Sequence, residues 1–141
     1  MKKALIVLVI SLAIFNTGCS NNNVPNDNAP GPAEKMATVN KITAEEANTK
    51  LTEESGIILV DVRTEDEYFE THIPNAILLP VETIGENAKA VIPEKDAIYF
   101  VYCRSGNRSA AASKVLVEMG YENIYDLGGI NDWPYETVTG E

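Results

Sequence analysis

Short apolar runs alternate with amphipathic segments along the last hundred residues of the chain. A continuous apolar run of four or five residues is typical of a strand buried on both faces of a parallel sheet. This pattern predicts strands at 39–42, 57–60, 77–79, 98–101 and 123–127. The first of these segments is short, and the first and last mix apolar with polar residues. The spacing between the segments leaves room for a helix after most strands.

Two of the intervening segments open with the same helix-start signal. Thr43 is followed three residues later by Glu46, and Thr64 by Glu67. This spacing is that of a capping box, in which the two side chains bond each other's backbone N–H groups. We therefore predict one helix from this point to about residue 51, and a shorter helix that Pro74 prevents from continuing.

Two further helices are predicted at 82–91 and 110–119. Gly85 weakens the first of these predictions. The second helix is amphipathic and ends at Gly120, which suits a left-handed stop. Its apolar face, which we expect to be buried, carries Ala111, Val115, Leu116 and Met119.

Strands that alternate with helices indicate an α/β fold, with a central, mostly parallel sheet covered by helices on both faces. A hydrophobic fraction of 45% in 141 residues is enough for one domain with a core. Ligands of such sheets bind at the carboxyl ends of the strands. Residue 103, a cysteine, falls at such an end.

The N-terminal part of the chain has a different character. Lys2 and Lys3 precede an apolar run of signal-peptide length, and Gly18-Cys19 follows it. This arrangement resembles the lipobox of bacterial lipoproteins, in which the cysteine is acylated, with palmitate among the fatty acids, and becomes the mature N-terminus. An ordinary cleaved signal peptide, with Cys19 lost or free, is the alternative. Either way, we expect the protein to leave the cytoplasm, and acylation would anchor it in the cell envelope, facing outside the cytoplasm.

These features divide the chain into three parts. Residues 1–18 are interpreted as a signal peptide, 19–36 as the lipid-anchor cysteine with a flexible linker rich in Asn and Pro, and 37–141 as the folded domain. Removal of residues 1–18 takes away two lysines and brings the formal charge from −10 to −12. An excess of acidic residues argues against nucleic acid as a partner.

The segment between the fourth strand and the last helix carries the chemistry. It reads Tyr102-Cys103-Arg104-Ser105-Gly106-Asn107-Arg108-Ser109. Backbone N–H groups at a helix N-terminus lack partners within the helix, and the helix dipole places a partial positive charge there. Together with two arginines, such a site favours a thiolate over a thiol and binds small anions. Because Cys103 is the only thiol left if Cys19 is acylated, no disulfide is expected.

The ordered motifs of this domain resemble a single-domain rhodanese over about residues 39–135. Four motifs in order along the chain carry the resemblance. They are residues 58–63, which include Asp61 and Arg63; residues 67–76, which include His72-Ile73-Pro74; the cysteine loop; and residues 127–130, together with Trp133. The resemblance implies a five-stranded parallel sheet and transfer of a sulfane sulfur. The donor would be thiosulfate or a similar small molecule, and the acceptor cyanide or a thiol. It implies no cofactor and no metal, and we expect a monomer.

The resemblance also implies roles for individual residues. Cys103 matches the nucleophile that carries the sulfur as a persulfide. The rest of the six-residue loop would bind the substrate, and its members are Arg104, Ser105, Gly106, Asn107 and Arg108. Asp61 and Arg63 match a recurrent pair outside the loop, which receives a supporting role.

Two other functions remain open at this point. A phosphatase or arsenate reductase of the Cys-x₅-Arg type is disfavoured, because the sixth residue after Cys103 is Ser109 and the arginine comes one position early. A persulfide relay, or a redox-sensing or binding module without turnover, would use the same loop. His72 is interpreted as a structural residue, Trp133 as core packing, and residues 65–67 as a solvated helix start.

Overall fold

The computed structural model describes residues 37–140, and the predicted signal peptide, Cys19 and linker lie outside the described residues. In the described part the strands are β1 (Asn40–Lys41), β2 (Ile57–Asp61), β3 (Ile77–Leu78), β4 (Ile98–Cys103) and β5 (Asn123–Gly129). The α-helices are α1 (Ala44–Glu53), α2 (Glu65–Glu70), α3 (Ile84–Val91) and α4 (Asn107–Glu118). Within this range, no helix has the length and apolar character needed to cross a membrane.

The five strands form one sheet in the order β1-β5-β4-β2-β3, and every pair in it is parallel. The predicted α/β architecture is confirmed, and the sheet is parallel throughout. Between β4 and β5 the register shifts, because Val101 pairs with Asp126 while Tyr102 pairs with Gly128. The extra residue Leu127 is a bulge that lengthens β5 beside the end of β4.

Alternating side chains of β4 enter two separate cores, as the period of a strand requires. Tyr99, Val101 and Cys103 belong to the core shared with α3 and α4. Phe100 and Tyr102 belong to the core on the α1 side of the sheet. Both faces of the sheet are therefore covered by helices, which places Cys103 on the face where α4 packs.

Both capping boxes form as predicted. The Thr43 and Thr64 hydroxyls accept from the N–H groups of Glu46 and Glu67, whose carboxylates accept in return from the cap backbone. The predicted 82–91 helix is divided into a short 3-10 turn at Val81–Thr83 followed by α3. Gly120 has a φ of +89°, as its predicted role at the end of α4 requires.

The predicted apolar face of α4 is confirmed for Leu116 and Met119, which pack in the core, and is wrong for Ala111 and Val115. The helix begins at Asn107, three residues before the predicted start, and its fully buried residues are Ser109, Ala112, Ser113 and Leu116. Val115 is exposed, as is Ala111. The residues at the i, i+3 and i+4 positions of this face, Ser109, Ala112 and Ser113, are small and allow α4 to lie close to the sheet. Packing distance therefore selects this face together with the hydrophobicity of Leu116.

Candidate active site

The end of β4 and the start of α4 hold the cysteine loop at the carboxyl edge of the sheet. Cys103 is the last residue of β4, and Gly106, with a φ of +99°, is the residue that caps α4. A left-handed φ is accessible to glycine without strain, which explains the glycine at this position. The turn directs the Gly106 N–H to Cys103 Sγ at a distance of 3.1 Å.

Cys103 is a free thiol, and only 1% of the residue is exposed. Burial raises the pKa of the thiol, but the backbone N–H groups of Ser109, Gly106 and Ser105 and the Ser109 hydroxyl outweigh this effect and lower the pKa below its ordinary value. Donors aimed at the sulfur stabilise the negative charge of a thiolate. The site can therefore hold an anionic sulfur despite its burial.

A buried hydrogen-bond network lies beneath the loop. Ser109 Oγ donates to Asp126 Oδ1 at 2.6 Å and also lies 3.0 Å from the carbonyl oxygen of Gly106. Asp126 accepts in addition from the Gly128 N–H at 3.1 Å and from Lys41 Nζ at 2.7 Å. The network joins α4 to the β5 bulge and to β1, and thereby fixes the start of α4 relative to the sheet.

The sequence reasoning assigned no role to Asp126 and included Ser109 only as the end of the motif. One sequence feature could have indicated a role for Asp126. It is a lone carboxylate within the apolar segment 124–127, and a buried acid requires a partner.

The two loop arginines differ in their surroundings. The Arg104 side chain is 66% exposed, while Arg108 is half-buried and donates from Nη1 and Nη2 to Glu67 at 2.7 and 2.8 Å. Glu67 also lies 3.8 Å from Arg104 Nη1. The interpretation of residues 65–67 as a helix start is confirmed, but their interpretation as a solvated face is wrong for Glu67, which contacts both arginines. That Arg104 and Arg108 bind the donor stays a prediction.

The other two side chains of the loop are exposed to solvent. Ser105 and Asn107 are exposed, and Asn107 is the first residue of α4. A cleft of about 160 Å³ opens beside the loop, and Arg63, Arg104 and Asn131 are among the residues that line it. Arg104 is the member of the cysteine loop that lines this cleft, and Cys103 is not among the lining residues.

Asp61 and Arg63 form a buried ion pair below this cleft. Arg63 donates from Nη2 to Asp61 Oδ2 at 2.6 Å and to the carbonyl oxygen of Thr71 at 2.6 Å. The Arg63 guanidinium also lies 5.7 Å from the centre of the Tyr102 ring, next in sequence to Cys103. The pair connects the end of β2 to the segment after α2, which is a supporting position and not one in contact with the thiol.

His72 makes a stacking contact and backbone contacts with neighbouring segments. Its ring stacks on Tyr68 with centroids 3.8 Å apart, and Nδ1 lies 2.9 Å from the carbonyl oxygen of Tyr68. Its backbone pairs with Val138. Trp133 packs against the core on the α1 side and is half-buried. Among residues 37–140, no cluster of side chains suited to a metal ion is found.

Comparison with known proteins agrees with this geometry. Residues 43–135 match the model of the rhodanese-like domain family. The thiosulfate sulfurtransferase PspE of Escherichia coli is 33% identical over 81 residues, which cover 57% of this chain and 78% of PspE. A sulfurtransferase of Allochromatium vinosum is 35% identical over 96 residues, which cover 67% of this chain and 88% of the relative.

Solved structures show the same fold. A rhodanese-like domain protein from Staphylococcus aureus is 34% identical with a TM-score of 0.64, and the match covers 72% of this chain and 99% of that protein. A rhodanese from E. coli, solved with anions, is 32% identical with a TM-score of 0.56, and the match covers 60% of this chain and 99% of that protein. These relatives support sulfur transfer as the general chemistry. The chain belongs to the rhodanese-like domain family.

Proposed function

We propose that this protein is an extracytoplasmic sulfurtransferase that moves a sulfane sulfur from a thiosulfate-like donor to a thiophilic acceptor through a persulfide on Cys103. The observation that carries the proposal is the position of Cys103 Sγ, which lies 3.1 Å from the Gly106 N–H at the start of α4 and has a lowered pKa. An activated thiolate inside a ring of N–H groups is the arrangement that nucleophilic sulfur chemistry requires.

In the first step, the Cys103 thiolate attacks the outer sulfur of thiosulfate. The sulfur–sulfur bond of the donor breaks, and its electron pair leaves with sulfite. The N–H groups that stabilised the thiolate then stabilise the persulfide anion, which places the same charge one atom further out. In the second step, cyanide or a thiolate attacks the outer sulfur of the persulfide, takes that sulfur and restores the Cys103 thiolate. No oxidant or reductant is consumed.

The location is a second part of the proposal and rests on the sequence. A signal-length apolar run before Gly18-Cys19 supports export and acylation of Cys19. We expect the wild-type protein in the membrane fraction and the Cys19→Ala variant in the soluble fraction. A wild-type protein that is wholly soluble with an unmodified N-terminus would contradict the anchor without affecting the chemistry.

The chemistry is tested by mass spectrometry of the purified protein before and after thiosulfate, and again after cyanide. We expect a gain of one sulfur atom that cyanide removes, and no gain in Cys103→Ser. Steady-state production of thiocyanate then distinguishes an enzyme from a relay that loads once. If the Cys103→Ser variant retains thiosulfate–cyanide turnover, or if the wild type hydrolyses an aryl phosphate faster than it consumes thiosulfate, the proposal fails.

A further inference from the structure

One carboxylate, that of Glu67, contacts both arginines of the cysteine loop. Its Oε2 lies 2.7 Å from Arg108 Nη1, and its Oε1 lies 2.8 Å from Arg108 Nη2 and 3.8 Å from Arg104 Nη1. The bidentate contact occupies both terminal nitrogens of Arg108. Arg108 is therefore oriented towards α2 by a partner 41 residues earlier in the chain.

Glu67 is itself fixed in place. The backbone N–H and the hydroxyl of Thr64 donate to Glu67 Oε2 at 3.2 and 3.1 Å, and the Glu67 side chain is only 18% exposed. Hydrogen bonds from Arg108, opposed by partial burial and reinforced by the Thr64 N–H, lower the pKa of this carboxyl to about 2. Because its pKa is low, the carboxylate is ionised at neutral pH, and the hydrogen bonds from Thr64 and Arg108 fix its position.

The charges of this cluster oppose each other. Two arginine charges and one carboxylate leave a single positive charge beside the loop, and the Cys103 thiolate offsets that remainder. Attraction of an anion then depends on the N–H groups and on the dipole of α4. For a donor charge placed roughly 8 Å from the Glu67 carboxylate in a water-like dielectric, Coulomb repulsion weakens the binding of a dianion by about fivefold and that of a monoanion by about twofold. A doubly charged donor is therefore attracted less strongly here than it would be by a loop with two uncompensated arginines.

We propose that Glu67 is a specificity-determining residue for the sulfur donor, which disfavours the doubly charged thiosulfate relative to singly charged or neutral donors such as hydropersulfides of small thiols. This inference rests on the proposed function of Cys103 as the sulfur carrier. It assigns to Glu67 an effect on donor binding and not on the bond-breaking step.

Transfer from a hydropersulfide uses the same atoms at Cys103. The thiolate attacks the outer sulfur of R–S–SH, and the bond between the two donor sulfurs breaks with its electron pair on the inner sulfur. The products are the Cys103 persulfide and the thiolate R–S⁻, and the proton of the outer sulfur passes to that thiolate or to solvent. The donor enters with no charge or one charge, whereas thiosulfate enters with two, so binding of the hydropersulfide depends less on the charge of the cluster.

The test is the Glu67→Gln variant, whose amide oxygen can still accept the capping bond from Thr64. With cyanide as acceptor, we expect KM for thiosulfate to fall by about fivefold, and KM for the hydropersulfide of 2-mercaptoethanol to fall by no more than about twofold. We expect kcat to stay within about twofold for both donors. Added salt should reduce the difference between wild type and variant, because it screens the carboxylate.

The control is Glu65→Gln, which changes the total charge equally at an exposed position in the first turn of the same helix. It should leave both KM values unchanged. A rise in KM for thiosulfate in Glu67→Gln would show that Glu67 holds Arg108 ready for the donor, and would overturn the inference. Equal changes for the two donors would overturn it as well.

A second variant keeps the test decisive if Glu67→Gln does not fold. Arg108→Gln removes one positive charge and should raise KM for thiosulfate more than KM for the hydropersulfide, and equal effects again contradict the inference. The outcome is separable from that of the proposed function. A wild type that loads no sulfur refutes the proposed function, whereas a wild type that turns over with unchanged donor preference in the variants refutes only the role of Glu67.

Discussion

Gly129 lies directly against the backbone of Arg104. A Cβ atom at residue 129 would stand 2.5 Å from the carbonyl oxygen of Arg104 and 2.7 Å from Cα of Ser105. The same carbonyl oxygen accepts a hydrogen bond from the Asn131 N–H at 3.2 Å. The end of β5 therefore supports the first half of the cysteine loop by backbone contact, which leaves no room for any side chain.

The first prediction follows from this contact. Gly129→Ala should displace residues 104–105, because the contacting atoms belong to backbone and cannot rotate away. We expect a loss of about 1–3 kcal/mol in the free energy of unfolding, and at least a roughly tenfold loss of sulfur transfer as the N–H groups move from the thiol. Urea denaturation and thiosulfate–cyanide turnover measure the two effects.

The matched control is Gly85→Ala. Gly85 lies in α3 with nothing within 4 Å of its virtual Cβ. Alanine should favour this helix by about 0.5–1 kcal/mol and leave turnover unchanged. If Gly129→Ala behaves like this control, the close approach of β5 does not set the loop geometry.

The local features of this fold were predictable from sequence for a physical reason. The capping boxes at Thr43 and Thr64 depend on residues only three positions apart. Buried parallel strands are likewise recognisable from unbroken apolar runs. The loop could be placed because a strand, a glycine-containing turn and a helix follow each other directly. Interactions of this kind are contained within a few residues of sequence.

Features that depend on contacts between residues far apart in sequence could not be predicted from local patterns. Glu67 forms a capping box and an ion pair with Arg108 at once, and only the first of these is visible in the local sequence. Similarly, Ser109 and Ser113 count as polar in any hydrophobic pattern, yet both are fully buried. Their burial depends on how closely α4 approaches β4 and β5, which a one-dimensional pattern does not contain.

The second prediction concerns the buried pair of Asp61 and Arg63. Their side chains are 0% and 4% exposed, so Arg63→Ala leaves a buried carboxylate without its partner. We expect a loss of about 3–5 kcal/mol in the free energy of unfolding, measured by urea denaturation. The double variant Asp61→Ala/Arg63→Ala should be less destabilised than the sum of the single variants.

An exposed pair provides the comparison. Lys50 and Glu54 are joined at 2.8 Å, but their side chains are 44% and 47% exposed. Lys50→Ala should leave the unfolding midpoint unchanged within error, because exposed pairs contribute little. Equal effects of Lys50→Ala and Arg63→Ala would contradict the supporting role of the buried pair.

The third prediction is the acid dependence of stability that arises from Glu67. Its pKa in the folded protein is about 2, below the ordinary value for glutamate of about 4.3. A lowered pKa contributes stability that is fully present above the unfolded value and is lost as the pH falls through the folded value. We therefore expect the stability difference between wild type and Glu67→Gln to be constant above about pH 5 and to shrink towards pH 2.

Chemical denaturation at a series of pH values measures this difference. Glu65→Gln is again the control, because it removes an equal charge from the same helix and leaves the ion pair of Glu67 with Arg108 in place. A difference between wild type and Glu67→Gln that does not change with pH would show that the variant acts through packing rather than through loss of the ion pair.

The fourth prediction concerns the ionisation of Cys103. Because N–H donors lower the pKa of this thiol despite its burial, the rate of sulfur loading should reach half its maximum below about pH 8.5, the ordinary value for cysteine. The thiolate also contributes stability that is present above the unfolded pKa and is lost as the pH falls through the folded pKa. Cys103→Ser should lack this dependence. The ultraviolet absorbance of the thiolate during a pH titration gives the pKa directly.

The last prediction separates the Ser109 hydroxyl from the backbone donors of the loop. The Ser109 hydroxyl has one proton, which it can donate either to Asp126 at 2.6 Å or to the Cys103 sulfur, and the second of these bonds lowers the pKa of Cys103. Ser109→Ala should therefore raise the pKa of Cys103 and shift the pH profile of sulfur loading upward, while the backbone N–H groups keep the pKa from rising further. Ser113→Ala is the matched control, because Ser113 Oγ lies one turn later in α4 and is buried without a hydrogen-bond partner among the described residues. Removing that hydroxyl should leave the thiol pKa unchanged and leave stability unchanged or higher. If the two variants shift the profile equally, the effect comes from the packing of α4 and not from the hydroxyl beside the sulfur.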